Sequence, residues 1–159
     1  MPGNHLEQLV AEWYQWRGYF VRRNARVGPR SKGGHECELD IVAFHPVEQK
    51  LVHVETSLDA EGWSQREKRC SKKFEAGRKY IATLFDGLSL PPMPEQIALF
   101  TMGGNRSSIC GARIVFIKDF MREILAEVRT RRVEKKAIPE EFALLRTLQF
   151  AAQYWPLGS

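Results

Sequence analysis

The chain has 159 residues, a length that fits one domain with a sizeable buried core. No apolar run in the sequence is long enough to span a bilayer, so we do not expect a membrane-embedded protein. The net charge of +5 and the pI of about 9.3 favour a polyanionic partner such as nucleic acid.

The N-terminal residues and the cysteines both indicate a cytoplasmic protein. The chain starts Met-Pro-Gly-Asn-His, which lacks the basic end and the apolar stretch of an export signal. The cysteines Cys37, Cys70 and Cys110 are scattered and odd in number, so we expect reduced thiols rather than a disulfide scaffold. The histidines near them lack the spacing of a zinc finger, and a zinc site is not expected.

Periodicity predicts that the first part of the chain is a helix followed by three strands. Asn4 is a suitable N-cap for the helix, and Gly18 is a suitable stop. The two later strands alternate polar and apolar side chains and are expected to form a hairpin. The predicted bounds are 4–18 for the helix, 19–27, 36–45 and 50–57 for the strands, and 28–34 for a mobile basic loop.

The second part of the chain is predicted to alternate between helices and apolar strands. The predicted bounds are 62–85 for a helix, 90–94 for a loop, 96–102 and 112–118 for strands separated by a loop over 103–108, and 119–135 and 139–155 for two helices. This order indicates an α/β fold with a mixed sheet flanked by helices. We expect one domain over 1–159, with a core over about 4–118 and a C-terminal helical extension over 119–155.

Two acidic residues lie near the ends of the paired strands. Alternation places Asp40 on the same face as Val42, and it places Glu55 on the same face as His53 and Ser57. Carboxylates from neighbouring strands can converge, and Mg²⁺ takes one or two carboxylates together with waters and substrate phosphate. We therefore expect Asp40 and Glu55 to bind Mg²⁺ or Mn²⁺.

Two further oxygen donors accompany these acids. Glu7 lies at the inner edge of the predicted first helix and is expected to support the metal or a water bound to it. The backbone carbonyl of Thr56 is a further expected metal ligand. The alternative is that the strand acids are solvated charges on an exposed hairpin, with Glu7 as an acid favoured by the helix dipole.

The order of these residues resembles the PD-(D/E)xK superfamily of restriction-endonuclease-like nucleases, and it is similar to the Holliday junction resolvase-like members. Their pattern is a helical Glu, a strand Asp, (Asp/Glu)-x-Lys on the next strand and then a helix. The matching residues here are Glu7, Asp40, Glu55-Thr56-Ser57 and the helix over 62–85. The resemblance covers residues 4–118 and implies an α-β-β-β-α-β core and metal-dependent phosphodiester hydrolysis.

Ser57 stands where the superfamily pattern has lysine, and two explanations remain open. The positive charge has moved to the following helix, as is known in the superfamily, or the site is weakened or inactive. Lys72 and Lys73 lie about two turns into that helix and can reach back to the strand end, and periodicity does not choose between them. Gln65 is a candidate to contact the metal-bound water or the phosphate.

Basic residues near these motifs are expected to contact the DNA backbone without reading its sequence. They are Arg22, Arg23, Arg26 and Lys32 in the first strand and its loop, and Arg66 and Arg69 in the helix. The expected function is a DNA endonuclease in repair, recombination or defence, acting as a homodimer or as a subunit of a larger complex. The alternative is an inactive nuclease-fold module that binds DNA or serves as a scaffold.

Overall fold

The computed structural model describes residues 4–101 and 104–155. Residues 1–3, where no export signal is expected, Met102 of the predicted strand over 96–102 and Gly103 of the predicted loop lie outside the described residues. Within these two ranges, no helix combines the length and the apolarity that crossing a bilayer requires.

The described residues form helices and strands in the order α1-β1-β2-β3-α2-β4-β5-β6-α3-α4-α5. The helices are α1 His5–Trp16, α2 Trp63–Tyr80, α3 Ile117–Val128, α4 Val133–Lys136 and α5 Ala143–Tyr154. The strands are β1 Phe20–Pro29, β2 His35–His45, β3 Lys50–Ser57, β4 Glu95–Phe100, β5 Ser108–Ile109 and β6 Ala112–Phe116. A 3₁₀ turn, Ile81–Leu84, continues α2.

The strands of the described ranges form one mixed sheet in the order β1-β2-β3-β4-β6-β5. Tight turns join β1, β2 and β3, so these neighbours are antiparallel. Longer connections follow β3 and β4, and the strand pairs β3–β4 and β4–β6 are parallel. The predicted α/β fold with a mixed sheet flanked by helices is therefore confirmed.

Helices cover both faces of this sheet. One apolar cluster joins α1, α3 and α5 to the face that carries Val52, Val54 and Leu99. Two further clusters, which include Phe44 and Phe74, lie between α2 and the opposite face. Alternation along β3 directs Glu55 away from Val54, so its carboxylate lies on the face that α2 covers.

The first helix forms as its sequence pattern predicts. The Asn4 side chain accepts a hydrogen bond from the Leu6 N–H at 2.9 Å and so caps the first turn. Val10 and Trp13 are buried against the sheet at helical spacing. Gly18 has a φ of 93°, a conformation that glycine adopts without steric cost, and it redirects the chain into β1.

The first hairpin differs from the prediction. The predicted mobile loop over 28–34 is shorter, because β1 continues through Pro29. The remaining residues close a hydrogen-bonded turn, in which the Arg30 N–H donates to the Gly34 carbonyl and the Gly33 N–H donates to the Arg30 carbonyl, both at 3.0 Å. The sequence analysis also missed β5, which is a two-residue strand paired with β6.

The helix predicted over 119–135 is too long. It ends at Val128, and the Thr130 hydroxyl then donates to the Glu127 carbonyl at 2.7 Å. A hydroxyl that takes up a helical carbonyl offers the backbone an alternative to another helical turn. The helix then resumes only as the short α4.

The last helix begins at Ala143 rather than at Pro139. The preceding segment is held by tertiary contacts instead, because Ile138 is buried and its N–H donates to the Gln149 side chain at 2.9 Å. A hydrogen bond to a side chain of α5 itself thus holds the segment before the helix in place of the first helical turn that proline favours.

The strict alternation predicted for residues 36–45 is interrupted at Asp40. Leu39 packs with Val42 beneath α2, whereas Ile41, two residues along, packs on the α1 side. The prediction of one uniform face over 36–45 is therefore wrong at this point. On the neighbouring strand β1, Asn24 has a φ of 49° and lies between Arg23 and Ala25, which pair with Ile41 and Leu39.

Candidate active site

The two strand acids lie where β2 and β3 separate. The ladder between these strands ends at Ile41 and Val54. Beyond it, the Asp40 N–H donates to Glu55 Oε1 at 3.1 Å, and the Thr56 N–H donates to Asp40 Oδ2 at 2.9 Å. Each carboxylate therefore accepts a hydrogen bond from a backbone N–H of the opposite strand. These two bonds hold Asp40 and Glu55 at the point where β2 and β3 separate, which we call the fork.

Lys73 of α2 contacts both acids. Its Nζ lies 2.8 Å from Asp40 Oδ1 and 2.9 Å from Glu55 Oε2. The side chains of Asp40 and Glu55 are only 14% and 7% exposed, so these ion pairs are screened less than surface pairs. Of the two lysines that sequence analysis left open, Lys73 meets the acids, whereas Lys72 is exposed along an adjoining groove.

The two carboxylates determine the charge of Lys73. Burial alone would lower the pKa of the Lys73 ammonium, but Glu55 and Asp40 outweigh burial and raise that pKa above its usual range. Lys73 is therefore a fixed cation at neutral pH. In this arrangement it can attract a phosphate, but it cannot accept a proton from water.

Glu7 approaches the same pocket from the first turn of α1. The pocket has a volume of about 180 Å³, and Glu7, Asp40 and Glu55 all line it. Burial and the negative charge of Asp40 raise the pKa of the Glu7 carboxyl, while Arg23 and Lys73 partly oppose this effect. Glu7 is therefore placed where its negative charge is unfavourable to the fold.

We expect that Glu7→Gln stabilises the protein at neutral pH. A carboxyl whose pKa is raised by folding contributes stability below its ordinary value of 4.5 and loses that contribution as pH rises through the raised pKa. The variant should match the wild type below about pH 4.5 and exceed it by about 1 kcal/mol at pH 7.5. Urea denaturation across this pH range measures the difference.

Glu12, on the same helix, provides the control for this substitution. Its carboxylate accepts hydrogen bonds from the Leu144 and Leu145 N–H groups of α5 at 2.9 and 3.1 Å. Glu12→Gln should therefore lower the free energy of unfolding at neutral pH. A loss of stability in Glu7→Gln at pH 7.5 would contradict the repulsion argument.

Ser57 occupies the position at which the resemblance expects lysine, and the Arg69 guanidinium lies next to it. Ser57 is buried, and its Oγ accepts a hydrogen bond from Arg69 Nη2 at 2.9 Å. Asp59 completes the cluster, because its Oδ2 lies 2.7 Å from Arg69 Nη1. Arg69 and Lys73 are four residues apart on α2, so both project from the same side of the helix toward the strand ends.

The prediction that Arg66 contacts phosphate is wrong. Arg66 is only 3% exposed, and its Nη2 donates to the Asp59 carbonyl at 2.9 Å. Its guanidinium also lies 5.2 Å from the ring centroid of Trp63 and 4.8 Å from that of Phe100. Arginine stacks readily on aromatic rings, and this residue anchors α2 to the loop after β3.

The other predicted DNA contacts are distributed around the site. Arg23 is half-buried and lies close enough to affect Glu7. Arg22, Arg26 and Lys32 are exposed on β1 and its turn, and Gln65 is exposed in the first turn of α2, outside the lining of the pocket. A groove of about 540 Å³ adjoins this pocket and shares Arg69 and Lys73 with it. Arg26, His35 and Lys72 also line it, and so do Glu36 and Glu38, of which Glu38 pairs with Arg26.

His53 belongs to the site although it is fully buried. Its Nε2 lies 2.7 Å from Glu55 Oε1, and its ring packs edge-on against Phe74. Gly77 of α2 provides the space for this ring, because a Cβ there would overlap His53 Nδ1. The β3 alternation did place His53 and Glu55 on one face, but it gave no sign that a helical glycine would cover them.

We expect Gly77→Ala to destabilise the protein by about 1–3 kcal/mol. Alanine normally stabilises a helix by about 1 kcal/mol relative to glycine, so the overlap with His53 reverses the usual sign. Chemical denaturation measures the change. Gly62→Ala at the start of α2 is the control, because its Cβ meets no described atom within 4 Å, and its effect should stay below about 1 kcal/mol.

The donor set is compatible with a divalent metal ion. Asp40 Oδ1 and Glu55 Oε2 converge on one point, which the Lys73 ammonium occupies, while their other oxygens are held by backbone N–H groups. Mg²⁺ needs only one or two carboxylates and completes its shell with water and phosphate. Within the described residues, no group of three or more His, Cys, Asp or Glu side chains is arranged to hold a metal.

No protein-family model, no curated protein and no solved structure matches this chain. Its function is therefore inferred from the groups at the fork. These are the paired acids Asp40 and Glu55, the cations Lys73 and Arg69, and the adjoining basic groove.

Proposed function

We propose that this protein is a Mg²⁺-dependent endonuclease that hydrolyses DNA phosphodiester bonds, with Asp40 and Glu55 as its metal-binding acids. We propose further that it is of the PD-(D/E)xK type, with Lys73 of α2 in place of the motif lysine. The observation that supports this is the convergence of Asp40 Oδ1 and Glu55 Oε2 on Lys73 Nζ, at 2.8 and 2.9 Å. Solvated acids on an exposed hairpin would not be buried together in this way.

The residues of the chain would divide the chemistry among them. Asp40 and Glu55 would hold Mg²⁺, which supplies charge neutralisation on the phosphate and a water of lowered pKa when it is bound. Lys73 and Arg69 add positive charge on the same side of α2, where a phosphate in the pocket develops negative charge during hydrolysis. Without a metal, Glu55 and Asp40 raise the pKa of the Lys73 ammonium, and in that charged form Lys73 stabilises negative charge on a phosphate.

The basic groove beside the pocket supports DNA as the substrate. Lys72 and Arg26 line it, the latter paired with Glu38, and exposed cations of this kind can hold a phosphate backbone without reading its sequence. The chain would then be structure-selective or loosely specific, or guided by a partner, in repair, recombination or defence. A homodimer would present one site to each strand of a duplex, and two-fold pairing is the commonest oligomer.

The test is a cleavage assay with the purified chain on supercoiled, branched and single-stranded DNA, with Mg²⁺ or Mn²⁺. We expect cutting of at least one substrate, and we expect Asp40→Asn to abolish it while DNA binding persists. Asparagine keeps the size of the side chain but removes the charge that a hard metal requires. Absence of cutting by the wild-type chain on all three substrates, with either metal, would sink the proposal.

A DNA-binding module or scaffold subunit without catalysis is the second candidate function. The observation that favours it is that Lys73 already occupies the point on which both acids converge, so the structure holds Asp40 and Glu55 together without a metal. An inactive module predicts DNA binding that weakens steeply with salt but no cleavage. A scaffold subunit predicts weak DNA binding with little salt dependence.

A further inference from the structure

A chain of polar side chains leads from Arg78 of α2, along the sheet face that α2 covers, to Glu55. Arg78 Nη1 donates to Gln96 Oε1 at 2.7 Å, and Gln96 Nε2 donates to the Phe74 carbonyl at 2.9 Å. Gln96 Nε2 also lies 3.1 Å from His53 Nδ1, and His53 Nε2 lies 2.7 Å from Glu55 Oε1. His53 is fully buried and Gln96 is 8% exposed, so the contacts of Gln96 with His53 and of His53 with Glu55 are shielded from water. Arg78 approaches Gln96 from the exposed side of α2.

The contacts determine which ring nitrogen of His53 carries the proton. Arginine has no acceptor, so the Gln96 atom that faces Arg78 must be the amide oxygen. The Gln96 nitrogen is then a donor, which its contact with the Phe74 carbonyl confirms independently. A donor faces His53 Nδ1, so Nδ1 must accept and the ring proton must lie on Nε2, directed at Glu55.

We propose that His53 is a positioning residue for Glu55. Gln96 and Arg78 hold the His53 ring as its Nε2–H tautomer, and His53 in turn fixes the Glu55 carboxylate so that Oε2 faces the cation site, the point that Lys73 Nζ occupies. The metal-binding part of this role rests on the proposed endonuclease function. The His53 and Asp40 N–H groups both donate to Oε1, which leaves Oε2 for the cation. In the metal-free protein that cation is the Lys73 ammonium.

This role follows from the geometry of a carboxylate. Two donors on one oxygen, at 2.7 and 3.1 Å, fix the rotation of the group and therefore the direction of the other oxygen. Loss of the His53 donor would leave only the Asp40 N–H on Oε1. Outer partners of this kind typically change metal affinity by about 10- to 100-fold when they are removed.

The first test is spectroscopic and needs no metal. In ¹⁵N-labelled wild-type protein, the ring proton of His53 should be found on Nε2 and not on Nδ1. In His53→Leu, the Asp40 amide proton should shift and exchange faster with solvent, because the carboxylate that accepts it has lost its second anchor. A ring protonated on Nδ1, or an Asp40 amide unaffected by His53→Leu, would overturn the inference.

The second test measures Mn²⁺ affinity by calorimetry at a temperature at which all variants are folded. His53→Leu should bind Mn²⁺ about 10-fold or more weakly than the wild type. His53→Gln retains a donor toward Glu55 and an acceptor toward Gln96, so its affinity should stay within about threefold of the wild type. His45→Leu is the control, because His45 accepts from the Glu48 N–H at the far end of β2 and should leave affinity unchanged.

The outcomes separate this inference from the proposed function. If the wild type binds Mn²⁺ and His53→Leu binds it equally well, or if His53→Gln is as impaired as His53→Leu, the positioning role is overturned and the proposed function stands. If the wild type does not bind Mn²⁺, the proposed function is contradicted. The ring proton and the Asp40 amide then decide whether His53 still fixes Glu55 toward Lys73.

Discussion

Lys73→Met is expected to reduce DNA cleavage by about 10²–10³-fold while the protein remains folded, which is the typical effect of removing one preorganised charge-stabilising donor. Methionine keeps the length and the apolar packing of the lysine stem but removes the ammonium. The ammonium contacts both acids and projects toward the pocket in which a phosphate would lie. A steady-state cleavage assay with saturating Mg²⁺ and saturating DNA measures this loss in kcat. Lys72→Met is the matched variant on the exposed side of α2: it lines the groove, so it should weaken DNA binding but leave kcat near the wild-type value.

The same substitution separates two roles of Lys73. Without the ammonium, Asp40 and Glu55 face each other as two buried negative charges, which should cost about 2–3 kcal/mol of stability in metal-free buffer. A divalent ion that binds the same two oxygens would restore this loss. Addition of Mn²⁺ should therefore raise the thermal midpoint of Lys73→Met more than that of the wild type.

Three other results with Lys73→Met and Lys72→Met would contradict parts of this model of the fork. Wild-type cleavage rates in Lys73→Met would contradict the role of Lys73 as the relocated lysine. Equal Mn²⁺-induced shifts in the wild type and the variant would show that the metal and Lys73 do not share Asp40 and Glu55. Reduced cleavage in Lys72→Met as well would indicate that the groove, rather than the fork, limits the reaction.

Strand β3 and its hairpin with β2 were the most accurately predicted elements. The bounds 50–57 match β3 because both faces of this strand are covered, and its alternation separates Val54 from Glu55. The hairpin with β2 followed from the short turn between them, and so did the approach of Asp40 to Glu55. These features depend on local periodicity, which the sequence displays directly.

The choice of the cation at the fork could not be predicted in the same way. Lys72 and Lys73 differ by a rotation of about 100° around the helix axis, and that rotation is set by how α2 packs on the sheet. Burial of Phe74 against the sheet and of Gly77 against His53 turns Lys73 toward the acids. Neither contact leaves a pattern in the charge distribution, which shows a basic residue in every turn.

The burial of Arg66 and the backbone conformation of Asn24 could not be predicted from the sequence either. Arginine is mostly exposed, so a buried Arg66 over the rings of Trp63 and Phe100 contradicts the usual expectation. Asn24 has a positive φ inside β1, between the residues that pair with Ile41 and Leu39, and a lone asparagine in a strand does not predict it. Both residues lie close to the fork, where tertiary contacts override local sequence preferences.

Glu55→Gln is expected to cause the largest loss of stability among single substitutions at the fork, about 2–4 kcal/mol in metal-free buffer. The Glu55 carboxylate accepts from the Asp40 N–H and His53 on Oε1 and from Lys73 on Oε2. A glutamine has one acceptor oxygen, so its NH₂ must face either the Lys73 ammonium or the two N–H donors. Either orientation leaves a buried donor against another donor.

Urea denaturation measures this loss, and Glu38→Gln on β2 is the matched control. Glu38 is 49% exposed and pairs with Arg26 at 3.5 Å, so its neutralisation should change stability by less than about 0.5 kcal/mol. Glu55→Gln should also lose Mn²⁺ binding and DNA cleavage, because the amide oxygen is a poorer ligand than a carboxylate for a hard cation. A stability loss below about 1 kcal/mol would mean that Glu55 is not held by its three donors in solution, and the fork would then be too loose to bind a cation selectively.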